Sequence, residues 1–196
     1  MNFLAHIYLS YDHPEIQIGN FIADSVKGNS YLNYDETVKK GIILHRSIDS
    51  YTDKHSITKQ CKLKFSSYGH FAGVVTDIIF DHFLAKNWNN YHATPLKEFT
   101  VDFYTLLKTN QNKLPPRVQH FLPAMIYENW LYKYRTIGGI SNILFQMNRR
   151  TKNISKMNYA VIELNENYNY LEQQFTYFFK DLEAYVKLQT TLINTI

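Results

Sequence analysis

Residues 41–55, GIILHRSIDSYTDKH, carry apolar side chains at helical spacing and set a histidine, an arginine and two aspartates among them. On a wheel turning about 100° per residue with His45 at zero, Asp49 falls at about 40°, Asp53 at about 80°, Ile42 at about 60° and Ile48 at about 300°. Lys39, Lys40, Ser47, Ser50 and Lys54 occupy the other side, the pattern of a solvent face. The stretch therefore reads as the second half of a helix over residues 35 to 54, ordinary on its wet side and ionisable on its inner side. An unpaired buried carboxylate costs several kcal/mol, so these groups need an ion-pair partner, hydrogen bonds or a bound cation.

Helical spacing recurs in segment after segment, and no convincing run of alternating strand-type residues interrupts it, so the expected fold is all-α. A short first helix covers MNFLAHIYLS, and Pro14 opens a second that ends near Lys27 and Gly28. After the helix at 35 to 54, two more are expected at about 56 to 67 and 70 to 90, separated by Gly69. Pro95 starts the next, LPPRVQHFLP (114–123) is the clearest break, and one long amphipathic helix runs from about Asn158 towards Leu192. With 196 residues, 45% hydrophobic content and no linker or repeat, the chain is expected to form one helical bundle domain, 1–196.

Composition narrows the function classes. The start lacks a secretory signal pattern, and no apolar run approaches the roughly 18 residues that span a bilayer, so a cytoplasmic protein without a membrane partner is expected. Cys61 is the single cysteine, which excludes an intrachain disulfide and a thiolate zinc site. The net charge of +4 suits an acidic partner. Basic residues are scattered rather than arrayed in a nucleic-acid module, so no nucleic-acid partner is expected. There is no HExxH, no Glu-x-x-His, no Walker A loop, no GxGxxG and no G-x-S-x-G.

The segment FAGVVTDIIFDHFLAKNW (71–88) is apolar nearly all round and still carries Asp77, Asp81 and His82. Asp77 and Asp81 share one face, where two carboxylates repel unless a cation or proton intervenes. His6 in NFLAHIYL and Asp24 in IGNFIADSVKG extend the pattern, and five of the nine aspartates fall at 24, 49, 53, 77 and 81. Taken singly, each could be a hydrogen-bonded core residue or a helix cap, and Asp53 could cap the following helix. Taken together, they suggest helices converging His and Asp side chains on one site, with ligands suited to Mn, Mg, Fe or Zn. Such an ion lowers the pKa of water and polarises a phosphoryl oxygen, which points to phosphate-ester hydrolysis. Arg46, Lys27, Arg135, Arg149 and Arg150 are the cations expected around the ester, although Arg149 and Arg150 equally suit a helix C-terminus.

Several stretches in order, MNFLAHIYLS, IGNFIADSVKG, GIILHRSIDSYTDKH, AGVVTDIIFDHFLAKNW and ENWLYKYRTIGGI with MNRR, resemble the bacterial acyl carrier protein phosphodiesterase family. The resemblance runs from residue 1 to about 150. It implies an all-helical enzyme, distantly HD-domain-like, that uses a divalent cation, typically Mn, to remove phosphopantetheine from holo-acyl carrier protein. This chain has no His-Asp dipeptide, only His45-Arg46 and Asp81-His82, so HD ligand positions do not transfer. Motif positions carried over as site candidates are His6, Asp24, His45, Asp49, Asp77, Asp81 and His82. On that basis Asp24, His45 and Asp77 lead as metal ligands, His6, Asp49 and Asp81 follow as ligands or supports, and His82 is the candidate general acid. Arg46 and Arg135 would neutralise the diester, and NRRTKNISK (148–156) would help dock an acidic carrier protein. Two alternatives stand beside this: a phosphohydrolase acting on a nucleotide or coenzyme A, and a non-catalytic helical protein that binds the carrier.

Overall fold

The computed structural model describes residues 1–194, with side chains through Gln189, and is helical with no strand among the described residues. In chain order the helices are α1 (Phe3–Tyr8), α2 (Pro14–Ile22), α3 (Glu36–Lys54), α4 (Ser56–Leu63), α5 (Ala72–Lys86) and α6 (Leu96–Thr109). There follow α7 (Pro116–Tyr127), α8 (Trp130–Lys133), α9 (Ile137–Arg150), α10 (Val161–Glu166) and α11 (Tyr168–Asn194). No described helix is long and apolar enough to cross a membrane.

Helix α5 is the axis of the bundle. Val75, Ile78, Ile79, Phe80, Phe83 and Leu84 are fully buried, as its nearly all-round apolar sequence requires. The Phe80 ring lies tilted against Phe175 at 5.6 Å and Phe178 at 5.2 Å between centroids, which fastens α11 along one side. Helices α1 and α9 pack against other parts of α5, and α2 lies between α1 and α3.

The α2–α3 contact is backbone on backbone. A Cβ on Gly41 would run into the Ile16 carbonyl oxygen, and one on Gly19 into the Val38 carbonyl oxygen. Only glycine permits this approach, and it brings the Asn20 carbonyl of α2 within 2.8 Å of His45 Nδ1 on α3. Gly41→Ala should therefore destabilise the protein by about 2–3 kcal/mol, read as a lower urea midpoint at constant slope. An unchanged midpoint would mean that the two helices can separate without cost.

Several boundaries differ from the sequence reading, among them the helix expected over about 56 to 67, which ends at Leu63, and the one expected to reach 90, which ends at Lys86. Helix α2 ends at Ile22 and tightens into a 3-10 turn over Ala23–Ser25, before Gly28 takes a positive φ of 53°. The helix expected over 70 to 90 begins at Ala72, because Gly69 adopts φ 56° and ψ −127° inside a preceding 3-10 turn. The final helix is broken. A 3-10 turn (Met157–Tyr159) and α10 precede α11, and the Asn167 side chain at the break donates to the Glu163 carbonyl at 2.9 Å. The cap between α3 and α4 is His55, whose Nδ1 accepts from the Ile57 N–H at 3.3 Å, and not Asp53.

Candidate metal centre and its cavity

Helix α1 supplies His6 and α3 supplies His45 and, one turn on, Asp49. The two imidazoles stack with centroids 4.0 Å apart, and Asp49 bridges their edges, Oδ1 3.2 Å from His6 Nε2 and Oδ2 3.1 Å from His45 Nε2. One ligand atom from each of the three lies within 4.8 Å of the others. The 3-10 turn after α2 brings Asp24 Oδ1 to 3.3 Å from the same His45 nitrogen.

Hydrogen bonding fixes what each group offers. The Asn20 carbonyl can only accept, so His45 Nδ1 carries its proton and Nε2 turns towards Asp24 and Asp49. That is the arrangement by which backbone carbonyls orient metal-binding imidazoles. Without a cation, Nε2 needs a proton to face two carboxylates. Burial works against that charge, but the hydrogen bonds and charges of Asp24 and Asp49 outweigh it and push His45 up to about 9. Burial would raise Asp49, yet its contacts with both histidines hold it well below the usual carboxylate range. His6 is pushed down to about 4 by burial and by His45, so its ring is neutral at pH 7. Neither His6 nitrogen has a hydrogen-bond partner among the described residues, because its approach to Asp49 is close enough for an ion pair but poorly aligned for a hydrogen bond. A buried, neutral, unpartnered imidazole beside a carboxylate and a second imidazole fits a divalent cation.

Asn20, which the sequence reading missed, holds the two histidine helices in register. Besides its carbonyl on His45, its buried side-chain amide donates to the His6 carbonyl at 2.8 Å and to Ser10 Oγ at 2.9 Å. The only sequence signal was an asparagine amid the apolar residues of IGNFIAD.

Other anticipated residues lie elsewhere or meet different partners. Asp77 reaches the cavity, where its Oδ1 is 3.0 Å from the Met1 α-amino nitrogen, which stands 3.9 Å from Asp49. Asp81 is fully buried and accepts backbone N–H groups of Asn2 (3.2 Å), Leu4 (2.8 Å) and Ala5 (3.4 Å), so it caps α1 instead of joining the cluster. The pair of carboxylates expected to share a cation thus divides between an ammonium and a helix N-terminus. His82 lies outside the cavity lining: Nδ1 donates to the Tyr134 carbonyl at 2.7 Å, and Nε2 meets the Tyr168 hydroxyl at 2.8 Å. Arg46 donates to the Val26 and Gly28 carbonyls at 3.3 and 2.9 Å and lies over Tyr31, which fastens the turn after α2. Arg135 stacks on its neighbour Tyr132, and neither Lys27 nor Arg149 lines the cavity.

The cavity beside the cluster holds about 410 Å³, and its lining carries charges of both signs. Asp24, Asp49, Asp53, Asp77 and Glu128 supply its carboxylates and Arg117, Lys133 and Arg150 its cations, with Lys133 paired to Glu128 at 3.1 Å. Trp130 lies under the Arg150 guanidinium at 5.1 Å, and an adjoining hollow of about 450 Å³ shares Asp24, Arg117, Trp130 and Arg150. Of the five cations anticipated from sequence only Arg150 is here, joined by Arg117 and Lys133. A candidate cation site and guanidinium groups lining one cavity suit a phosphate ester, which needs both.

Comparison with known proteins agrees with this chemistry. The sequence model of the family described as acyl carrier protein phosphodiesterase matches residues 1–182. A protein of that name from Serratia proteamaculans is 30% identical over 189 residues, 95% of this chain and 98% of the relative. Its counterpart from Pectobacterium atrosepticum is 29% identical over 191 residues, 96% of this chain and 99% of the relative. No solved structure matches the chain. With a match of this extent, the chain belongs to the acyl carrier protein phosphodiesterase family.

Proposed function

We propose that the protein hydrolyses the phosphodiester joining phosphopantetheine to the serine of holo-acyl carrier protein, releasing apo-carrier protein and free phosphopantetheine. The observation that carries this is the His6, His45 and Asp49 cluster beside a cavity that Arg117 and Arg150 also line. Held by those three residues with Asp24 beside them, a divalent cation, manganese first and magnesium, iron or zinc as alternatives, supplies Lewis-acid chemistry and a more acidic water.

The chain's own groups do the rest. His45 is held in one tautomer by Asn20, so its orientation costs nothing when substrate arrives. Asp24, exposed at 68% of its side chain, offers an oxygen to accept a proton from the attacking water. Arg117 and Arg150 neutralise the non-bridging oxygens as charge builds on phosphorus. The serine alkoxide leaves with a proton, and Lys133 in the cavity and His120 in the adjoining hollow are the groups that can give one. Exposed Arg149, Lys152 and Lys156, with exposed Ile154 close by in sequence, suit an acidic carrier protein docking in the cytoplasm.

Intact-mass analysis of holo-acyl carrier protein incubated with enzyme and Mn²⁺ should show loss of the phosphopantetheine arm, and chelation should prevent it. Absence of loss with every divalent metal, or faster cleavage of coenzyme A than of the carrier protein, would overturn this substrate assignment.

A further inference from the structure

Helix α9 presents three polar residues to the cavity at intervals of four: Asn142, Gln146 and Arg150. Four helical residues rise about 6 Å, so the row sets two amides and a guanidinium at about 6 Å intervals along one face. Neither Asn142 nor Gln146 makes a hydrogen bond recorded among the described residues, although both line the wall. The parallel row, Ile143 and Met147, is apolar, and Trp130 carries the Arg150 guanidinium on its face.

The geometry points to α9 as the recognition element for the pantetheine arm, with Arg150 on the phosphate, Gln146 on the pantoyl amide and Asn142 on the β-alanyl amide. This assignment rests on the proposed phosphopantetheine substrate and specifies how that substrate lies. The arm has the same order as the helix: phosphate, branched apolar carbon, amide, spacer, amide. A β-alanyl unit is one methylene longer than an ordinary residue and spaces its flanking amides by about 5 Å, close to one four-residue step of the helix. Each arm amide has a donor and an acceptor that lose water in the cavity, and a carboxamide side chain can meet both. The dimethyl carbon next to the phosphate falls beside Arg150, where Trp130 and Met147 offer apolar surface. A site for inorganic phosphate alone has no use for two carboxamides in line with the guanidinium.

Trp130 gives the readout, since the other tryptophan, Trp88, is buried away from the cavity lining. Metal-loaded enzyme is titrated with 4′-phosphopantetheine and separately with inorganic phosphate while Trp130 fluorescence is followed, and Trp130→Phe identifies the signal. Gln146→Leu and Asn142→Leu should each weaken phosphopantetheine about tenfold and leave phosphate affinity unchanged. Leucine retains helix propensity at these sites, which make no recorded hydrogen bond that the substitutions would remove. Wild-type affinity for phosphopantetheine in both variants, no binding by the parent enzyme, or equal loss for both ligands would overturn the assignment. Amide-dependent binding without turnover of holo-carrier protein keeps α9 as the arm site and removes the proposed reaction. Normal turnover of holo-carrier protein by both variants keeps the reaction and removes α9.

Discussion

Replacing His45 with alanine is expected to lower kcat/KM for holo-acyl carrier protein by about a thousandfold or more and to abolish stoichiometric metal binding while the chain stays folded. The size follows from how many contacts converge on one ring. His45 Nε2 lies 3.3 Å from Asp24 and 3.1 Å from Asp49, Nδ1 is tied to Asn20 at 2.8 Å, and His6 stacks on its face at 4.0 Å. Without the imidazole, Asp24 loses its partner, Asp49 keeps the misaligned approach of neutral His6 and the Met1 ammonium at 3.9 Å, and the proposed cation loses one of its ligands. Stability falls less than activity, because alanine leaves one carbonyl unpaired at a cost of about 1–3 kcal/mol. Steady-state kinetics, metal analysis of the dialysed protein and a thermal melt report the three quantities separately. If the variant keeps both its rate and its metal, the centre lies elsewhere in the cavity, towards Asp53 and Asp77.

His45 and Asp49 were legible because both sit on one helix, where periodicity alone tells which residues share a face. The failures arise where burial was read as chemistry. Asp81 and His82 are buried at 0% and 1% exposure, as the apolar run around them requires. Burial shows only that a polar group needs partners, and theirs are the first turn of a helix about 77 residues away and the tyrosines at 134 and 168. No period within a segment reveals such pairings. The opposite error hides the basic lining of the cavity. Arg117, Asn142 and Arg150 are exposed residues on helices whose polar faces read as ordinary solvent surface, and only the packing of α9 near α5 and α8 turns that surface into a cavity. Arg46 was misplaced for a third reason. Adjacent residues on a helix lie about 100° apart, so proximity to His45 in sequence directs it away from the site, to Val26 and Gly28.

Asp81→Ala should cost about 3–5 kcal/mol of stability, and the loss should reach the metal centre although Asp81 does not touch it. Helix α1 has six residues, too few to persist by its own hydrogen bonds, and its first N–H groups would be orphaned without a partner. Asp81 takes three backbone N–H groups at that end, and its negative charge also favours the nearby Met1 ammonium. Burial outweighs the ammonium and the N–H bonds and raises the Asp81 carboxyl to about 7, so its charge depends on the helix start staying in place. Alanine releases both, α1 loosens from α5, and His6 at position four of that helix leaves the stack with His45. Asp81→Asn keeps acceptor capacity and should lose about half as much, with metal binding weakened in proportion to stability. Urea unfolding and metal analysis of the two variants decide the matter. If Asp81→Asn sheds its metal at an unchanged unfolding midpoint, the carboxylate is a ligand and does not serve as the fastening of α1. If metal loss follows stability through both variants, Asp81 acts by holding His6 in place, which is the reason a buried aspartate about a turn and a half before the end of α5 shares a motif with residues of the site.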